Sequence, residues 1–208
     1  MSFSEPAPTR VRSARSALRS ALVVVGAALV GILGYQSLTP SSFSATSTID
    51  ALLGDQHAAR GAAAGVLPDG VTVFDDYPAV TNLDPALLTA LRQAATDAAD
   101  DGIEFYVNSG WRSAEYQERL LDEAVSEYGS KEEAARWVAT PETSPHVSGD
   151  AVDVGDASAR SWLSAHGSGY GLCQIYGNEP WHFELRPEAI ERGCPPAYAD
   201  PTSDPRMG

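Results

Sequence analysis

Two short stretches gather the residues best suited to chemistry. They are Ser144-Pro-His-Val-Ser-Gly-Asp-Ala-Val-Asp153 and Glu179-Pro-Trp-His-Phe-Glu184, and they hold two of the chain's four histidines. Six residues separate His146 from Asp153, too many for one helical face. The spacing suits a loop that carries His146, turns at Gly149, and enters a strand over Ala151-Val-Asp-Val154. In that strand Asp153 points one way, and Val152 and Val154 the other. In the second stretch Pro180 opposes a helix interior. As a strand it places Trp181 and Phe183 on one face, His182 and Glu184 on the other.

Two imidazoles and one carboxylate, with a fourth position open, form the donor set of a catalytic zinc site; structural zinc sites are closed, usually by thiolates. Glu179 stands three residues before His182. From there it can reach the metal's open side without ligating it and take a proton from an attacking water. Spacing alone leaves a blander reading open: two surface histidines among solvated acids. Arg112, at the end of a predicted strand, has two readings as well. It is either an ordinary salt-bridge partner or a fixed guanidinium aimed at a developing oxyanion.

The pattern Ser-x-His-x-x-Gly-x-Ala-x-Asp, followed by Glu-x-Trp-His-Phe-Glu and preceded by Ser109-Gly-Trp-Arg-Ser113, resembles the VanY-type D-alanyl-D-alanine carboxypeptidases, zinc peptidases of the M15 family. The resemblance covers roughly residues 75 to 188. It implies that His146, Asp153 and His182 bind Zn2+, that Glu179 is the base, and that Arg112 steadies the carbonyl oxygen. Tyr116 and Gln117 resemble positions this family keeps near its cleft, although an aromatic at helical spacing is more often packing. Ser144 either hydrogen-bonds substrate or shapes its loop. Glu184 is a candidate to orient a ligand. His166, the rival ligand, precedes Gly167-Ser-Gly169 at a helix end and is left outside the metal shell.

These residues need elements to hold them. Asp84-Pro85 is a helix start, and Leu87, Leu88, Leu91, Ala94, Ala95 and Ala98 recur at helical spacing up to Gly102. Ile103 to Val107 reads as a strand delivering Arg112, and Val71 to Phe74 as a short strand opening the domain. Ser113 caps a second helix with Tyr116, Leu120, Leu121, Ala124, Val125 and Tyr128 inward, stopped by Gly129. Ser130-Lys-Glu-Glu133 is a capping box for a short helix through Trp137. A helix over Ala157 to His166 follows the metal loop. Leu172 to Tyr176, a turn at Gly177-Asn178, and Trp181 to Leu185 form a hairpin. The expected fold is α+β, an antiparallel sheet carrying the zinc site and covered by helices, and the resemblance implies that it is hedgehog/DD-peptidase-like.

The chain has 208 residues and a net charge of −14. That charge argues against nucleic acid and against anionic membrane surfaces as partners. Residues 1–38 combine a basic stretch (Arg10, Arg12, Arg15, Arg19) with an apolar run, read as a signal-anchor helix or a cleaved signal. Residues 39–70 read as a linker with a short helix near Ile49 to Leu53, 71–194 as the peptidase domain, and 195–208 as a Pro-rich tail. The two cysteines, Cys173 and Cys194, suit one disulfide in an exported chain. The expectation is an extracytoplasmic monomer acting on peptidoglycan stem peptides as a D,D-carboxypeptidase. The alternatives are an L,D-carboxypeptidase, a D-Ala-D-Ala dipeptidase, a wall endopeptidase, or a non-catalytic wall-binding module keeping zinc for folding.

Overall fold

The computed structural model describes residue 54 and residues 56–207. The expected signal segment, and the helix near Ile49 to Leu53, lie outside these residues. Among the described residues, no helix is long and apolar enough to cross a membrane.

Four short strands form one antiparallel sheet in the order β1-β2-β4-β3. They are β1 (Val107–Ser109), β2 (Ala151–Val154), β3 (Leu172–Gln174) and β4 (His182–Leu185). One face is apolar, with Val107, Val152, Val154, Leu172 and Phe183 entering the main core. Helix α1 (Pro85–Asp100) packs on this face. Its start follows from Asp84, whose carboxylate accepts the backbone N–H of Ala86 and Leu87. A cap of this kind contributes about 1 kcal/mol. Leu87, Leu91, Ala94, Ala95 and Ala98 turn inward, and the alanines let the helix lie close to the strands. Helix α3 (Ala157–His166), capped by Asp156, buries Ala159 and Leu163 in the same core.

Between α1 and α3 in sequence, α2 (Ala114–Tyr128) starts at Ser113, whose hydroxyl accepts from Tyr116 N, and stops at Gly129 with φ 82°. Its buried residues are Gln117 and Ala124 alone. Tyr128 is exposed, contrary to the inward stripe expected from its spacing. This helix borders a cleft instead of covering the core, so helical periodicity marks a face that stays half-open.

Other local expectations shift. The first strand is Val107–Ser109, later than Ile103 to Val107. Val71 to Phe74 supplies a single bridge, Thr72 to Tyr106, and no strand. Of the capping box at Ser130 one half forms, Ser130 Oγ accepting from Glu133 N while the Glu133 carboxylate turns to Arg136, and the helix ends at Ala134, before Trp137. The β3–β4 connection is longer than a tight turn, and Trp181 precedes the strand, bordering the cleft instead of joining Phe183 in the core.

Residues on either side of the expected domain pack against it. Residues 56–63 are helical, Ala64 O accepts from Ser113 N at 2.9 Å, and Leu67 rests on the core. After Cys194, which is disulfide-bonded to Cys173, the chain bridges Tyr198 to Tyr176 and forms two 3-10 turns, Pro201–Ser203 and Pro205–Met207. Asp200 and Asp204 are buried there.

Candidate active site

The polar face of the sheet begins with an irregularity. Val107 pairs with Val154, yet Ser109 pairs with Asp153 where a regular antiparallel ladder would offer Val152. This bulge keeps Val107 in the core and still turns Ser109 onto the polar face. Asp153 pairs in turn with His182. Ser109, Asp153 and His182 therefore form one row across three strands. His146 approaches from a short helical turn, Pro145–Ser148, that ends at Gly149 with φ 84°. A side chain at Gly149 would start 2.6 Å from Asn82 O, so the turn closes onto the approach to α1 only with glycine there.

A backbone acceptor fixes the tautomer of His146, while His182 has a carboxylate at each of its nitrogens. His146 Nδ1 lies 2.8 Å from Gly110 O, an acceptor only, so Nδ1 donates and Nε2 is left with its lone pair. Nε2 is 3.4 Å from Asp153 Oδ1. His182 shows the opposite arrangement. Nε2 faces Glu184 Oε1 at 3.3 Å, and Nδ1 lies 3.2 Å from Asp153 Oδ1. Each nitrogen of His182 thus faces a carboxylate; with a cation at the Asp153 side, Nε2 would keep its proton for Glu184 and Nδ1 would turn its lone pair inward.

Burial lowers the His146 pKa, helped by the Arg112 charge. Burial acts likewise on His182, but hydrogen bonds to Asp153 and Glu184 outweigh it and raise the pKa. Burial alone would raise Asp153, yet the imidazoles and Arg112 hold it well below the usual carboxylate range. Asp153 therefore stays charged and faces both imidazoles with Oδ1. His146, Asp153 and His182 each offer one donor atom within 4.8 Å of the others. A buried set of two imidazole nitrogens and one carboxylate oxygen at this spacing fits a zinc ion.

Glu179 completes the cluster. Its Oε2 is 3.7 Å from His182 Nδ1, and its buried Oε1 has no hydrogen-bond partner. Burial pushes its carboxyl up to about 7, with His182 opposing and Asp153 adding. Arg112 donates through Nε to Ser109 Oγ (2.7 Å), through Nη1 to Gln117 Oε1 (3.1 Å), and through Nη2 to Asp153 Oδ2 (3.0 Å). Of five guanidinium N–H groups, three are used in this way and two remain for another acceptor.

These side chains line a cleft of ≈ 420 Å³ together with Ser144, Tyr128 and Trp137. Ser144 Oγ is buried and unpartnered. Gln117 is a brace, with Nε2 donating to Ala139 O at 2.8 Å. Tyr116 does not line the cleft; its ring lies under the Arg119 guanidinium, 5.3 Å away. His166 is remote from the cluster and rests on Trp162, ring centroids 4.7 Å apart.

A family model described as VanY, D-alanyl-D-alanine carboxypeptidase, matches residues 80–188, just over half of the chain. The chain belongs to the VanY family. A D-alanyl-D-alanine carboxypeptidase of Enterococcus faecalis is 34% identical, with 41% of this chain and 41% of the relative aligned. The chain therefore spans about two fifths of the length of that curated relative. Among solved structures, a vancomycin-resistance D,D-pentapeptidase VanY from a VanB-type cassette, in complex with Zn(II), is 29% identical, with TM-score 0.49 over 53% of this chain and 75% of that one. An L,D-carboxypeptidase from Streptococcus pneumoniae is 28% identical, with TM-score 0.45 over 54% and 71%.

Outside the VanY match lies the part of the site that sequence reasoning missed. Pro201 and Met207 line the cleft, and Arg206 reaches Glu184. No spacing rule links residues this far apart, so the only available signal was an acid two residues from His182.

Proposed function

We propose that this VanY-family chain is a zinc peptidase that removes the C-terminal D-alanine of peptidoglycan stem peptides. One observation carries the reading: the donor atoms of His146, Asp153 and His182 lie within 4.8 Å of one another, beside an unpartnered carboxylate oxygen of Glu179. The two relevant nitrogens are His146 Nε2 and His182 Nδ1, the ones that face Asp153 Oδ1 while their ring partners face Gly110 O and Glu184.

His146, Asp153 and His182 would hold the zinc, which would supply Lewis acidity toward the scissile carbonyl and the attacking water. Glu179, free of hydrogen bonds on Oε1, accepts the water's proton and returns it to the leaving amine. Arg112 is held rigidly by Ser109, Gln117 and Asp153, and its two spare N–H groups stabilise the carbonyl oxygen as charge develops. Ser144 Oγ offers substrate a hydrogen bond from the cleft wall. The disulfide between Cys173 and Cys194 supports action outside the cytoplasm, where the substrate lies.

The presence of both a base and a rigid cation favours an enzyme over a binding module. The test is incubation of the full chain with stem pentapeptide and with stem tetrapeptide, reading the products by mass. Release of D-alanine from pentapeptide, abolished by a chelator and restored by zinc, supports the D,D reading. Release from tetrapeptide alone assigns L,D specificity. No turnover of either rejects the proposal.

A further inference from the structure

Glu184 is buried to 0% exposure and lies two residues from His182. A carboxylate offers about four lone-pair sites, and here all are taken. Oε1 meets His182 Nε2 at 3.3 Å and Arg206 Nη2 at 3.1 Å. Oε2 meets Arg206 Nη1 at 2.7 Å and Arg186 Nη2 at 2.6 Å. Only Arg206 spans both oxygens, so its fork fixes the plane of the carboxylate where single contacts would let it rotate. Arg206 is itself held. Its Nε lies 3.0 Å from both oxygens of Asp204, and Asp204 Oδ2 accepts the Tyr176 hydroxyl at 3.0 Å. The Tyr176 ring then packs 5.0 Å from the His182 ring. The circuit from His182 through Glu184, Arg206, Asp204 and Tyr176 closes on His182 again.

We infer that Arg206 is a positioning residue for the metal site, acting through Glu184 to hold the His182 imidazole in the orientation that presents Nδ1. This rests on the zinc reading above and extends it to a segment beyond the family-matched residues 80–188. The partners behind a metal-bound histidine set its tautomer and basicity, and losing one costs about 10- to 100-fold in affinity. Arg206 supplies two of the four contacts that fix this partner.

The test measures zinc affinity by chelator competition, and the absorption spectrum of the cobalt(II)-loaded full chain, for wild type, Arg206→Ala, Arg206→Lys and Arg136→Ala. Arg136 holds the same segment through Asp200 at 3.0 Å without touching Glu184, so it reports general loosening of that segment. The expected result is a loss of about 10- to 100-fold in zinc affinity for Arg206→Ala, with an altered cobalt spectrum. Arg206→Lys, which keeps charge without the fork, shows the same spectral change with a smaller loss. Arg136→Ala stays at wild type. Should Arg206→Ala fail to fold, Arg206→Lys alone decides the matter. Wild-type affinity and spectrum in the Arg206 variants, or an equal loss in Arg136→Ala, overturns the inference and leaves the zinc reading standing. A wild-type chain that binds neither metal removes both.

Discussion

Arg112 Nη2 lies 3.0 Å from Asp153 Oδ2, the carboxylate oxygen turned away from the two imidazoles. Asp153 thereby faces the histidines with one oxygen and a guanidinium with the other. One side chain thus ties the imidazole pair to the guanidinium. Lysine cannot reproduce the three-way hold on Ser109, Gln117 and Asp153. Arg112→Lys is expected to lower kcat by about 10²- to 10³-fold, the usual cost of one oxyanion donor. Steady-state kinetics on the stem pentapeptide checks this, and an unchanged kcat would return Arg112 to a purely structural role.

Glu179→Gln keeps the shape of the side chain and removes its ability to take a proton. Turnover is expected to fall by about 10²- to 10⁴-fold while bound zinc stays near one equivalent per chain. Metal analysis alongside kinetics separates the two. Equal loss of zinc in Glu179→Gln and His182→Ala would make Glu179 a ligand and remove it as the base.

The disulfide closes a loop with a sequence separation of 21 between Cys173 and Cys194. Chain entropy alone then gives roughly 3 kcal/mol of stabilisation. Cys194→Ser is expected to lower the free energy of unfolding by that order, read from urea melts under non-reducing conditions. A change within experimental error would mean that the segment after Arg192 is held by its other contacts.

Acid should loosen the segment that carries Arg206. Burial raises the Asp204 pKa, but hydrogen bonds from Arg206 and Tyr176 outweigh it, and the net shift is downward from 3.8. A folded-state pKa below the unfolded one means stability that is present above the unfolded value and lost as pH falls through the folded value. The gap in melting temperature between wild type and Asp204→Asn should therefore be full at pH 6 and shrink below about pH 4. A gap independent of pH would show that charge on Asp204 contributes nothing there.

Much of the site was legible because its chemistry lies in residue types at short spacing. His146, Asp153, His182 and Glu179 stand in two stretches of ten and six residues, and the structure brings all four together. The helix at Asp84-Pro85 was equally plain, since cap, proline and stripe agree. What escaped depended on contacts distant in sequence or on local departures from period. The bulge between Val107 and Ser109 shifts β1 by one residue, and no alternation pattern foretells it. The stripe on α2 was read as core, but it borders a cleft, which periodicity cannot distinguish from an interior. Tyr116 was placed near the cleft by resemblance alone, and it does not line the cleft. Arg206 was invisible because its partner sits 22 residues earlier, across the sheet.

Asp153 and His182 are direct partners in the β2–β4 ladder. Because side chains alternate along a strand, slipping one strand by a single residue would turn its ligand into the apolar layer. A misaligned chain would not bring Asp153 and His182 together, so an ion held by this pair would double as a proofreader, locking only molecules with the two central strands in step.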